Sequence, residues 1–218
     1  MTLPEHQSRE ELTPRQRDVL ERALELLVAG GEKALTTSGL ARAANCSKES
    51  LYKWFGDRDG LLAAMIAHQA SKVRGFTDTG GTMRRDVFET HLRGFAEDLL
   101  RVLSGEVSLA LNRLAIGQAS REGNRLGALL VEQGRRRIDQ AATRLLEAGK
   151  RSGHIHYDDL DDTYRTLYGL IVRDMHVRML LGEKGVFGGR SLEAQAAHAI
   201  RQFFALYEVR EKETAGRL

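Results

Sequence analysis

Apolar residues recur along this chain at helical spacing almost from end to end. Val19, Ala23, Leu26 and Leu27 mark the first such face. Thr13 can cap that segment, Pro14 suits its first turn, and Gln16 completes a Thr-x-x-Gln capping box. Gly30-Gly31 ends the run. Two short helices are expected next, over 37–44 and 48–55, separated by Asn45-Cys46-Ser47. Leu61, Leu62, Met65 and Ile66 then open a longer helix reaching about Arg74. The small and polar stretch 75–82 has no periodicity and reads as a linker. Beyond it the pattern predicts only helices, over 86–104, 107–119, 126–148, 159–181 and 191–209. Phe88, Leu92, Phe95, Leu99 and Val102 share one face of the first of these. The glycine-rich stretch 182–190 follows no strand and precedes no phosphate-loop lysine, so it reads as a helix connection.

Composition agrees with this all-α pattern. The two prolines, Pro4 and Pro14, both lie near the start, and nothing after them forbids helix. A hydrophobic content of 42% over 218 residues supports a buried core. One cysteine excludes a disulfide framework within the chain and fits a reducing, cytoplasmic setting. The longest uncharged apolar run, 61–67, is too short for a membrane span, and the polar opening MTLPEHQSREE does not read as a secretory signal. The net charge of +3 says little about partners, so any binding argument must come from local charge.

Local charge singles out the two short helices. Between 33 and 58 stand Lys33, Arg42, Lys48, Lys53 and Arg58 against Glu49 and Asp57. A short helix pair with a three- or four-residue turn is the layout of a helix-turn-helix, whose second helix can enter the major groove. That helix opens with Ser47-Lys48-Glu49-Ser50, where free N–H groups favour a phosphate and Ser50 is small enough to approach base edges. Tyr52, Lys53 and Trp54 add a hydroxyl, a cation and a flat apolar surface. Taken alone, these features leave a DNA-reading motif and an ordinary helical hairpin both open.

The segments ALELLVAGG (23–31) and LTTSGLARAANCSKESLYKWFGDRDGLL (35–62) closely resemble the TetR family of bacterial repressors. The resemblance implies a homodimer that binds a pseudo-palindromic operator in double-stranded DNA and leaves it when a small-molecule effector enters the C-terminal domain. It implies a phosphate contact at Thr36 or Thr37, DNA-facing positions at Lys48, Ser50, Tyr52 and Lys53, and a backbone contact at Arg58. Leu40, Ala44, Leu51 and Phe55 are expected in the core. Glu49 departs from the small residue or proline usual there, and either accepts from a cytosine amine or repels phosphate. Asn45-Cys46 replaces the usual Gly-Val, so Cys46 is expected as a small buried hydrophobe.

The expected layout is a flexible arm over 1–12, a three-helix helix-turn-helix domain over 13–74, and a helical bundle for ligand and dimer contacts over 84–210. Residues 111–123 and 157–183 are similar to the AefR-like branch, with Gln118 where that branch tends to have Glu. Phe88, Leu92, Phe95, Leu111, Leu114, Tyr168 and Met175 are candidate pocket residues. Arg113, in an otherwise apolar helix, reads as half of an ion pair with a nearby carboxylate or as the anchor of an anionic ligand. For the dimer face, Leu192, Ala196, Ala199, Phe203 and Leu206 form a continuous seam. Ala194, Ala197, Ile200, Phe204 and Tyr207 widen it, and Leu167, Leu170, Ile171, Asp174 and Arg178 lie on the preceding helix. The rival reading is an all-helical Mg²⁺-dependent diphosphate enzyme using Asp158-Asp159-Leu160-Asp161-Asp162. With no second acidic cluster, those acids are better read as complementing a helix start. No metal or cofactor is expected, His154-x-His156 lacking a third ligand.

Overall fold

The computed structural model describes residues 12–120 and 125–209, so the expected arm lies almost wholly outside the described residues. The N-terminal part holds α1 (Pro14–Ala34), α2 (Thr37–Ala43), α3 (Lys48–Phe55) and α4 (Arg58–Ala70). The bundle holds α5 (Arg85–Ser104), α6 (Glu106–Gln118), α7 (Leu126–Leu129), a π-helical turn (Leu130–Arg135), α8 (Arg136–Arg151), α9 (Leu160–Val172), α10 (Met175–Leu180) and α11 (Leu192–Tyr207). Local chemistry explains the starts. The capping box on α1 forms as its sequence predicts, and Thr36, Ser47, Asp57, Asp159 and Ser191 each accept a first-turn N–H.

The helix expected over 61–74 starts three residues earlier, on the Asp57 cap, and ends at Ala70. The segment that follows is tied down: buried Asp98 on α5 accepts from the Arg74 backbone N–H at 3.1 Å and from its guanidinium at 2.6 Å. The helix expected over 159–181 is broken. Arg173 takes φ +49 at the end of α9, and α10 restarts two residues later. Periodicity misses this break, because the apolar stripe continues in register on both sides of it.

Two cores form, and they do not divide at the linker. One joins α5, α8, α9 and α11 around Phe88, Leu99, Leu145, Leu167 and Phe203. The other contains Leu20, Leu40, Leu51 and Met65, and also Leu111 and Ala115 from α6 and Leu126 and Leu129 from α7. The bundle therefore supplies part of the packing that holds α1 and α4. Polar links reinforce this frame. Glu21 on α1 lies 2.7 Å from His68 Nε2 on α4 and 3.0 Å from Lys72 Nζ. Burial alone would raise the Glu21 pKa, but the hydrogen bonds from His68 and Lys72 outweigh it and hold the carboxyl below its usual range. A depressed folded pKa contributes stability above the ordinary carboxylate range, and that stability disappears as pH falls through the folded value. The melting temperature is expected to drop over that acidic window, and Glu21→Gln to flatten the drop; an identical pH profile in the variant would reject the assignment.

Candidate nucleic-acid interface

The turn between α2 and α3 is built for tightness. Asn45 takes φ +48, a backbone region that asparagine tolerates, which explains its presence where glycine is usual. Arg15 on α1 donates to the carbonyls of Ala44 and Asn45 and pins that turn from outside. Its role leaves no mark in the motif itself. Leu40, Ala44 and Leu51 are buried, whereas Phe55 and Cys46 are half-buried against the same core.

Thr36, Thr37, Tyr52 and Arg58 line one groove, together with Leu51, Phe55 and Leu61, of about 450 Å³. Lys48, Glu49 and Lys53 are exposed, as is Tyr52 at 56%. Thr36 Oγ1 accepts from Gly39 N at 3.0 Å, which leaves its hydroxyl hydrogen available to a phosphate. Ser50 is half-buried, and its Oγ lies 3.1 Å from Ser47 Oγ, a pair that leaves the hydroxyl further hydrogen-bonding capacity. The Glu49 carboxyl is held low by its own backbone N–H and by the Ser47 side chain, and so folds back onto the helix start. Trp54 is not a free DNA-facing surface: it is half-buried on the domain core, edge-on to Phe55 at 6.3 Å. Arg58 is already engaged, donating to Glu32 Oε1 at 2.6 Å.

A cavity of about 300 Å³ lies in the bundle directly behind α4. Ile66, Gln69 and Ala70 of α4 form one wall; Leu99, Leu111, Ile138 and Tyr168 face them from α5, α6, α8 and α9. The π-helical turn supplies Leu130, Val131, Gly134 and Arg135, and such turns often mark functional sites. A Cβ on Gly134 would stand 3.3 Å from Ile66 Cγ2, so glycine there permits the close approach of α4. Charge within the wall is balanced. The Arg135 Nε lies 3.8 Å from Asp139, the Tyr164 hydroxyl donates to that carboxylate, and the Arg135 guanidinium sits 4.9 Å over the Tyr168 ring. Burial raises the Tyr164 and Tyr168 pKa values and lowers that of His176, keeping all three uncharged near neutrality.

Of the candidate pocket residues, Leu111 and Tyr168 line this cavity. Phe88, Leu92, Phe95 and Met175 are instead buried in the bundle core, and Leu114 packs on the core of the N-terminal part. Arg113 donates not to a carboxylate but to the carbonyls of Met179 and Leu180 at the C-terminal end of α10. The expected dimer residues also divide. Leu167, Ile171, Ile200, Phe203 and Phe204 are buried in the chain's own core, so they cannot form an outer face. Tyr207 is half-buried, its ring 4.8 Å from that of Phe203. Asp174 and Arg178 pair with each other at 3.5 Å, and Arg178 also pairs with Glu183. Leu170 and Ala197 are half-buried, Ala194 is exposed, and Leu206 turns outward. Periodicity identifies an apolar face but not which helix covers it. The acidic run is local structure as well: Asp159 caps α9 and Asp161 pairs with Arg165.

A capped helix pair with an exposed basic second helix, carried on a helical bundle, defines a helix-turn-helix DNA-binding protein. The profile for bacterial regulatory proteins of the tetR family matches residues 19–65, and that for the AefR-like transcriptional repressor C-terminal domain matches 90–209. The chain belongs to the TetR family and is a DNA-binding transcriptional regulator, not an enzyme. It is similar to a TetR transcriptional regulator of Agrobacterium tumefaciens, with 60% identity, a TM-score of 0.78, and coverage of 90% of this chain and 96% of that one. The regulator YdeS of Bacillus subtilis is 28% identical over 178 residues, 75% of this chain and 84% of its own length. The regulator YvkB of the same organism is 29% identical over 77 residues, 35% of this chain and 41% of its own. No described helix is long and apolar enough to cross a membrane.

Proposed function

We propose that this regulator is a repressor that binds a palindromic operator as a homodimer and is released by a small molecule in the cavity behind α4. The observation that carries this reading is the shared wall. Ile66, Gln69 and Ala70 bound the cavity on the same helix whose first residue, Arg58, lines the groove with Thr36, Thr37 and Tyr52. A ligand that favours a different packing of α4 on the π-helical turn thereby favours a different placement of α3. The apolar walls and balanced Arg135–Asp139 pair favour an uncharged effector. Thr36, Thr37, Lys48, Lys53 and Arg58 serve as phosphate contacts, and Ser50 and Tyr52 lie nearest the bases. A gel shift with DNA flanking the protein's own gene tests the reading. Lys53→Ala is expected to weaken all sequences alike and to reduce the log-salt slope by about 0.9 per subunit. Unchanged affinity and slope would refute the docking.

A further inference from the structure

Three side chains from three parts of the fold meet at the edge of the proposed DNA surface. Gly31 takes φ +63 and kinks the end of α1, so that Glu32 turns towards both α4 and α6. Glu32 Oε1 accepts from Arg58 Nη2 at 2.6 Å, and its other oxygen accepts from the Gln118 side-chain amide at the end of α6. Arg58 and Glu32 keep side-chain exposures of 52% and 38%, so their pair is solvent-screened and weak enough for another anion to replace.

We propose that Glu32 occupies Arg58 in place of a DNA phosphate, and that Gln118 sets how firmly it does so. Docking exchanges Arg58–Glu32 for Arg58–phosphate. The exchange leaves the Glu32 carboxylate with the Gln118 amide as its remaining partner, which lowers the cost of releasing Arg58. α6 also lines the cavity through Ser108, Leu111 and Asn112. A shift of α6 that withdraws Gln118 leaves Glu32 dependent on Arg58, and DNA then competes less well. Glu32 and Gln118 are thus positioning residues for the DNA contact. The proposal rests on Arg58 touching phosphate, and the experiment separates the two.

The probe is a labelled mixed-sequence duplex about 40 base pairs long, titrated over a range of salt, because phosphate contacts are independent of sequence. Arg58→Ala is expected to weaken binding and lower the salt slope by about 0.9 per subunit. Glu32→Gln is expected to tighten binding by up to about fivefold per subunit, the scale of an exposed ion pair. That gain should vanish in the Arg58→Ala background, whereas simple repulsion between Glu32 and DNA would leave it intact. Gln118→Leu is expected to weaken binding in the parent and to have no effect beside Glu32→Gln. A purely structural role for Gln118 would persist there and shift the melting temperature of both. If Arg58→Ala changes nothing, the phosphate contact and the proposal fail together. If Arg58→Ala weakens binding but Glu32→Gln gives no gain, or a gain independent of Arg58, the contact stands and the competition is overturned.

Discussion

In the proposed homodimer, replacing Ala205 with arginine is expected to separate the two copies and to reduce affinity for the proposed palindromic operator by at least about a hundredfold. The outer face of the bundle motivates this choice. Gly169 on α9 and Ala205 and Leu206 on α11 are exposed, Leu206 at 64%, and Leu170 on α9 is half-buried. No atom stands within 4 Å of where a Cβ on Gly169 would be. Small residues and an exposed leucine form a surface against which a second helix pair can pack closely, and in a two-fold dimer that surface meets itself. An arginine at 205 places a long cation, and its symmetry mate, in that contact. Because Ala205 faces outward, helical content and monomer packing should not change. Loss of the partner removes the second, linked half-site, which multiplies affinity by about 10² to 10⁴ when geometry permits both to engage. Two recognition helices about 34–36 Å apart meet that condition. Sedimentation with operator titration decides the matter: a variant that stays dimeric, or a monomer that keeps the parent affinity, would refute this interface.

Capping residues act within one turn, so Thr13, Thr36, Ser47 and Ser191 announce their helices without reference to the rest of the fold. The short helix pair was readable for the same local reason, whereas its reading as a DNA-binding motif came from the family resemblance. Burial between elements was not. Phe203 and Leu206 fall on one predicted stripe, yet α5 and α9 cover Phe203 while Leu206 is left to solvent. Arg113 read as half of an ion pair or as a ligand anchor, but its partners are backbone carbonyls 66 and 67 residues away in the chain. Glu32 carried no motif signal at all. Its importance depends on a kink at Gly31 and on Gln118, 86 residues later. The break at Arg173 was hidden because leucine-rich periodicity runs through it. Long-range partners are what the one-dimensional pattern lacks.

Gly149→Ala is expected to lower the stability of the bundle by about 2 kcal/mol, despite the better helix propensity of alanine. Two effects compete at this position. In a helix interior, glycine costs about 0.5–1 kcal/mol relative to alanine, so propensity alone predicts a gain. Gly149, however, is buried near the end of α8, directly against Phe88 on α5. An added Cβ would stand 2.2, 2.5 and 2.8 Å from Cζ, Cε2 and Cε1 of that ring. The ring has no free direction of retreat. Phe88 is fully buried, stacked on His154 at 5.7 Å, and met edge-on by Phe204 at 5.9 Å. Overpacking of this kind costs about 1–3 kcal/mol, and overlap with three ring atoms belongs at the upper end. The clash therefore outweighs the propensity gain. At about 2–4 °C per kcal/mol for a chain of this size, the melting temperature should fall by about 4–8 °C. Phe88→Leu supplies the internal control. Alone it destabilises by leaving a cavity, but beside Gly149→Ala the smaller side chain makes room for the new methyl, so the double variant should lose less than the sum of the two. DNA binding well below the transition should stay at the parent level, because neither residue touches α3 or α4. A Gly149→Ala protein that melts above the parent, or strictly additive losses in the pair, would show that the ring can yield and that propensity decides the sign.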